Sequence, residues 1–140
     1  MLLQQRALSK YHSAGLWSNA CCSHPQPGEE TKAAAERRLR EEMGLKCKTE
    51  FAYSFIYKAN FDNGLTEHEY DHVFAGEYDG AIDFNREEVM DLCYKDMQAI
   101  RDSLQSHPQQ YTTWFHLAFP RVDSWWRGRY NGKWGVASSE

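Results

Sequence analysis

The chain has 140 residues, enough for one domain with a real core, and 41% apolar against 26% charged residues excludes a disordered chain. A net charge of −4 argues against a broad nucleic-acid-binding surface. No apolar run approaches the roughly 20 residues of a membrane-spanning helix, so no membrane insertion is expected.

In chain order, Leu2, Leu3 and Leu8 flank polar residues in a strand already under way at the first residues, and such a strand is expected to need an earlier neighbour in its sheet. Residues 9–28, rich in Ser, Asn, Gly and Pro, are expected to form a loop. A helix is expected over 29–43. Glu29 and Glu30 favour its N-terminus, Ala33, Ala34 and Ala35 propagate it, and Gly44 stops it. Ala35, Leu39 and Met43 recur at fourfold spacing and should face the core, with Arg38 and Glu42 on a neighbouring face. Residues 48–60 alternate around Phe51, Tyr53, Phe55 and Tyr57 as a strand, and Asp62-Asn63-Gly64 is a hairpin turn signal. The next strand, 66–78, puts Glu67, Glu69 and Asp71 on one face and His68, Tyr70 and His72 on the other. Its Val73-Phe74-Ala75 end suggests a buried, internal strand. A short strand follows in 86–95, then helices over Asp96–Gln105 and 110–127, and a frayed tail from Gly132. Strands and helices in this order argue for an α/β sandwich of mixed sheet and helices in a single domain over 1–140.

Cysteines stand at 21, 22, 47 and 93 without a CxxC pair, and a bridge between the adjacent Cys21 and Cys22 would be strained. Reduced thiols and the absence of an apolar stretch after Met1 point to a cytoplasmic protein. Five Trp contribute to an aromatic share of 14%; core packing is the ordinary use of such a load, and a part can line a pocket. Arg6 and Lys10, then Arg37, Arg38 and Arg40, make local basic clusters in an acidic chain, which suits a small anionic ligand.

The chemistry gathers around Cys22 and His24 and the spaced Glu67 and Glu69. A thiol, an imidazole and same-face carboxylates can serve metal-assisted proton transfer. Each also has an ordinary reading: Cys22 as a small buried hydrophobe, His24 as a hydrogen-bonded side chain, the glutamates as a solvated strand face, Arg38 and Glu42 as a surface ion pair.

Residues 23–45 resemble the Nudix box, G-x5-E-x7-R-E-U-x-E-E-x-G-U with U apolar, a loop–helix motif whose glutamates bind Mg²⁺ for diphosphate chemistry. Glu29, Arg37, Leu39, Glu41, Glu42, Gly44 and Leu45 fit. Ser23 stands at the first glycine, and Arg38 at the glutamate after the arginine, which exchanges a metal-binding carboxylate for a cation and argues against hydrolysis. The chain is similar to the type 1 isopentenyl-diphosphate Δ-isomerases within that superfamily. The resemblance is carried by Arg6 to Lys10, Trp17 to Pro25, Gly28-Glu29, Arg37-Arg38, Glu42-Met43-Gly44, Tyr57, Glu67-His68-Glu69, Val73-Phe74, Glu88-Val89-Met90 and Trp114-Phe115. It implies a Nudix-like α/β/α sandwich, here without the family's first strand or strands, and without an upstream lysine and two histidine metal ligands.

The resemblance further implies interconversion of isopentenyl and dimethylallyl diphosphate by protonation and deprotonation of the alkene. Cys22 and Glu69 would be the acid and base, in either order. Tyr57 would hydrogen-bond Glu69, and Trp114 would offer its π face to the developing cation. A first divalent metal (Mg²⁺, Mn²⁺ or Zn²⁺) would lie at His24, Glu67 and Glu69. A Mg²⁺ at Glu42 would bridge to the diphosphate, which Arg6, Lys10, Ser23 and Arg38 would grip. The partner implied is a small prenyl diphosphate. Two other readings are a Nudix-type diphosphate hydrolase and an inactive metal-binding fragment.

Overall fold

The computed structural model describes residues 1–21, 25–60 and 66–130, without the side chains of 57–60, 66–70 and 129–130. Strand β1, Leu2–Arg6, lies between β2, Trp17–Asn19, and β5, Val89–Tyr94, in an antiparallel three-stranded sheet. Both edges of β1 are therefore taken by later strands, so the place of an earlier neighbour beside it is filled by β2 or β5 among the described residues. The strand also ends before Leu8, which is 72% exposed in the turn that follows.

β2 interrupts the segment expected to be all loop. Its composition is poor for a strand, but β1 supplies the ladder, pairing Leu3 with Asn19 and Gln5 with Trp17. Strands β3, Glu50–Asn60, and β4, Thr66–Ala75, form an antiparallel ribbon. The Asp62-Asn63-Gly64 turn lies outside the described residues, as does the tail from residue 131. Among the described residues β4 pairs with β3 alone, so the expectation of an internal strand is not met. Of its apolar end, Ala75 is buried while Val73 and Phe74 are only half-buried. A register shift between Phe51 and Tyr53 breaks the alternation of β3, which leaves Phe51 53% exposed while Phe55 is buried. A parallel bridge joins Trp17 to Tyr111; the strand ladders themselves are antiparallel.

Helix α1, Thr31–Met43, is closed by Gly44 at φ 65°, whose N–H reaches the Arg40 and Leu39 carbonyls. It starts two residues later than expected. Glu30 caps it with extended backbone and no side-chain bond, and Glu29 turns back to Arg37. Leu39 and Met43 are buried as expected, but Ala34 rather than Ala35 joins them. A turn of 3.6 residues cannot hold a strict fourfold row, so the buried stripe straddles two rows. Helix α2, Met97–Ser106, begins at Asp96, whose carboxylate accepts the Ala99 N–H at 2.8 Å. After a 3₁₀ turn at Pro108–Gln110, helix α3 runs Thr113–Tyr130 with Pro120 inside it.

Period two along β1 builds the layers. Leu2 packs with Leu39, Met43, Leu45 and Val89 on the α1 side, and Leu3 with Ile100, Tyr111, Phe115 and Phe119 on the side of α2 and α3. The sheet is thus covered on both faces, the layering expected of an α/β/α sandwich. Phe55 extends the packing to Trp114, Leu117 and Ala118 of α3. Arg101 of α2 clamps Asp123 of α3 with two hydrogen bonds of 2.7 Å.

Candidate active site

Gln4 follows Leu2 on the α1 side of β1, where an apolar residue would be the default. Its amide nitrogen donates to the Ala20 carbonyl at 2.7 Å and to Glu42 Oε2 at 3.1 Å. Arg38, one turn before Glu42 on α1, donates from Nη2 to Glu42 Oε1 at 2.7 Å. The buried Glu42 carboxylate, 6% exposed as a residue, is thus satisfied on both oxygens. The same Arg38 Nη2 donates to Glu88 Oε1 at 2.8 Å, and Nη1 donates to Glu41 Oε1 at 2.8 Å. Burial would pull the Arg38 guanidinium down, but its bonds to Glu41 and Glu88 and the charges of Glu42 and Glu88 outweigh that and raise it, so it stays a fixed cation.

Arg37, the other arginine of the pair, faces the loop before the helix. It holds Glu29 through Nε at 2.8 Å and Nη2 at 3.1 Å, and Glu41 through Nη1 at 2.8 Å. The Arg37 hydrogen bond, with the Gln26 N–H, keeps Glu29 below the ordinary carboxylate range. This fork ties the loop to the helix, so the Glu29, Arg37 and Glu41 of the motif are accounted for by structure alone.

The second part of the site comes from the turn after β1. Lys10 Nζ lies 3.8 Å from Glu88 Oε1. Lys10 and Arg6 line a cleft of about 400 Å³ together with Ser9, Tyr11, His12 and Glu87. The Arg6 guanidinium lies 5.1 Å from the centre of the Trp114 ring, and His12 meets the same ring edge-on at 6.0 Å. A register shift falls between Gln5 and Arg6, the kind of irregularity that re-aims a side chain. Arg6 Nε and Trp114 Nε1 are buried without a hydrogen-bond partner among the described residues. Unspent donors beside a cationic cleft are what an incoming anion or water could satisfy.

A chain of side-chain contacts therefore links Trp114 to Arg6, and Lys10 through Glu88 and Arg38 to the buried Glu42, with Arg6 and Lys10 on the cleft. Cys22, Ser23 and His24 lie outside the described residues. Tyr57, Glu67 and Glu69 are described in backbone alone, where the ladder sets Tyr57 directly opposite Glu69 and Ala59 opposite Glu67. Cys47 and Cys93 form no disulfide, and Cys22 lies outside the described residues. Burial holds the Cys47 thiol above its ordinary range, and its Sγ donates to the Glu77 carbonyl at 3.3 Å.

No group of three metal-ligating side chains occurs among the described residues, and His24, Glu67 and Glu69 are not among those side chains. Glu42 fits a Mg²⁺ by donor chemistry. It is a hard oxygen donor linked to the cleft's Lys10 through Arg38 and Glu88, and Mg²⁺ is commonly held by one or two carboxylates and the phosphates of its partner. Gln4 is not singled out in the sequence reading, and Glu88 enters it only as part of the resemblance, without a site role. The one signal for Gln4 is a polar residue two places after a core leucine.

A family model described as the NUDIX domain matches residues 1–115. The chain is 49% identical over 127 residues to an isopentenyl-diphosphate Delta-isomerase of Pectobacterium atrosepticum, covering 91% of this chain and 71% of that protein. The chain belongs to the isopentenyl-diphosphate Δ-isomerase branch of the Nudix family. Isopentenyl-diphosphate Delta-isomerase 2 of Aromatoleum aromaticum is 48% identical over 124 residues, 89% of this chain and 66% of that one. The chain thus spans roughly two thirds of these isomerases. Among solved structures, a MutT protein of Methanosarcina mazei Go1 matches with a TM-score of 0.69 at 21% identity over 88% of this chain and 82% of that one. A Deinococcus radiodurans protein gives a TM-score of 0.69 at 16% identity over 86% of this chain and 72% of that one. At these identities the solved structures establish the Nudix fold and nothing finer. Arg38, where the Nudix box pattern has a glutamate, sits between Glu41, Glu42 and Glu88.

Proposed function

We infer that this chain interconverts isopentenyl diphosphate and dimethylallyl diphosphate, working as one Nudix-like domain. The observation that carries the reading is the array from Trp114 and Arg6 through Lys10 to Arg38 and Glu42. It offers fixed cations for a diphosphate at one end and an indole ring for a short hydrocarbon at the other. The names of the relatives at 48–49% identity support the same reaction.

In this reading Arg6, Lys10 and Arg38, with Ser23, bind the diphosphate through charge-assisted hydrogen bonds. The indole of Trp114 is suited to a cation-like carbon centre, because a π face attracts positive charge without needing a hydrogen bond. Cys22 and Glu69 exchange protons with the two alkene carbons, one giving and the other taking. Tyr57 steadies Glu69, and the backbone register that sets the two opposite each other supports that pairing. A Mg²⁺ at Glu42 and a second divalent ion at His24, Glu67 and Glu69 would supply charge neutralisation for the diphosphate and for the acid–base glutamate.

The test is to incubate the purified chain with isopentenyl diphosphate and Mg²⁺ and follow the products. Formation of dimethylallyl diphosphate without phosphate release is expected. Release of phosphate with no isomer would replace this reading by a hydrolase.

A further inference from the structure

Among the described residues, Glu88 is the carboxylate that touches both cationic segments of the site. Its Oε1 takes a 2.8 Å bond from Arg38 Nη2 of α1 and lies 3.8 Å from Lys10 Nζ of the turn after β1. The backbone around it is fixed to the same two segments. The Ala7 N–H donates to the Glu88 carbonyl at 3.1 Å, the Ser9 hydroxyl to the Glu87 carbonyl at 3.3 Å, and the Asn85 N–H to the Glu42 carbonyl at 2.8 Å. Residues 85–88 are thus a rigid bracket between the Arg6–Lys10 turn and the Glu42 end of α1.

Arg38 Nη2 is shared between Glu42 Oε1 and Glu88 Oε1. A divalent cation at Glu42 Oε1 would compete with Arg38 for the charge of that oxygen, whereas the bond from Arg38 to Glu88 does not involve it. We propose that Glu88 is a positioning residue for diphosphate recognition: a counter-ion that keeps Arg38 and Lys10 aimed at one anion while Glu42 serves a metal. This rests on the isomerase reading for the identity of the ligand. The chemistry it requires is that of a metal-bound diphosphate.

A glutamine at 88 keeps the size and an acceptor oxygen but removes the charge that holds two cations together. An aspartate keeps the charge on a shorter arm. The probe is inorganic pyrophosphate with Mg²⁺, read as the rise in melting temperature of each variant over its own ligand-free value, so an early-melting variant stays informative. Glu88→Gln is expected to weaken pyrophosphate binding about tenfold, and Glu88→Asp to stay within about threefold of the parent, tenfold corresponding to about 1.4 kcal/mol. With isopentenyl diphosphate, the Glu88→Gln loss should fall on KM more than on kcat. Unchanged or tighter pyrophosphate binding in Glu88→Gln would overturn the proposal, because removing a spectator carboxylate beside an anion site should help the anion. A loss in Glu88→Asp equal to that in Glu88→Gln would also overturn it, by making shape the cause. If the parent chain itself bound no pyrophosphate and formed no isomer, the isomerase reading would fall, a result separate from that of the Glu88 variants.

Discussion

Gln4 shows how much one buried amide can hold. It supplies donors to a carboxylate and a carbonyl that have little access to water. Gln4→Leu should cost about 1–3 kcal/mol in urea unfolding, the penalty for a buried acceptor left without a donor. Gln4→Glu should cost more, by setting a second carboxylate against Glu42; equal stability of the two variants would contradict this reading of the contact. Arg38 is the complementary case. Arg38→Glu would set three carboxylates on one face of α1 against Glu88 without their cation, so the variant should melt well below the parent and regain stability with Mg²⁺. A variant insensitive to Mg²⁺ would mean that the α1 face does not attract a divalent ion. The Arg38–Glu42 pair was legible in the sequence from fourfold spacing alone, and Glu29 to Leu45 from the motif. Gln4 and Glu88 were not, because their partners are 38 and 50 residues away and no local pattern encodes such contacts.

Helix and strand identities followed largely from periodicity, and the misses have local causes. Asp96 as a cap and Gly44 as a stop are signals written in single residues. β2 was missed because Ser18 and Asn19 carry little strand preference and owe their conformation to β1. The exposure of Phe51 was missed because a register shift is invisible to an alternation count. Gly44 makes the strongest prediction for an element. Its positive φ suits glycine, and a Cβ there would collide with the Asp83 carbonyl oxygen. Gly44→Ala should destabilise by about 2 kcal/mol or more, counting backbone strain and the displaced loop, and the same loop leads to Glu88. A neutral urea midpoint would show that the 83–88 segment is not pinned to α1. Asp96→Ala should cost about 1 kcal/mol, the ordinary value of a helix cap, with no effect on ligand binding.

Taken together, the layers place the proposed chemistry beside a sheet covered on both faces, with α2 tied to α3 through Arg101 and Asp123. Asp123 is held below its ordinary range chiefly by the hydrogen bond from Arg101. A carboxylate depressed in the folded state stabilises the fold at pH values above its unfolded pKa, and that contribution is lost as pH falls through the folded value. Asp123→Asn should therefore lower the melting temperature at pH 7, and the gap from the parent should close as pH drops below the ordinary carboxylate range. A gap independent of pH would assign the contact to packing alone. The α/β/α layering was legible from the order of elements, whereas the bracket joining the first turn to α1 emerged only once residues 85–88 were seen against both. The decisive measurement is deuterium uptake. With isopentenyl diphosphate and Mg²⁺ in D₂O, the chain should yield dimethylallyl diphosphate carrying deuterium, and Cys22→Ala should abolish the uptake. Full isomerase activity in Cys22→Ala would contradict proton transfer by that thiol.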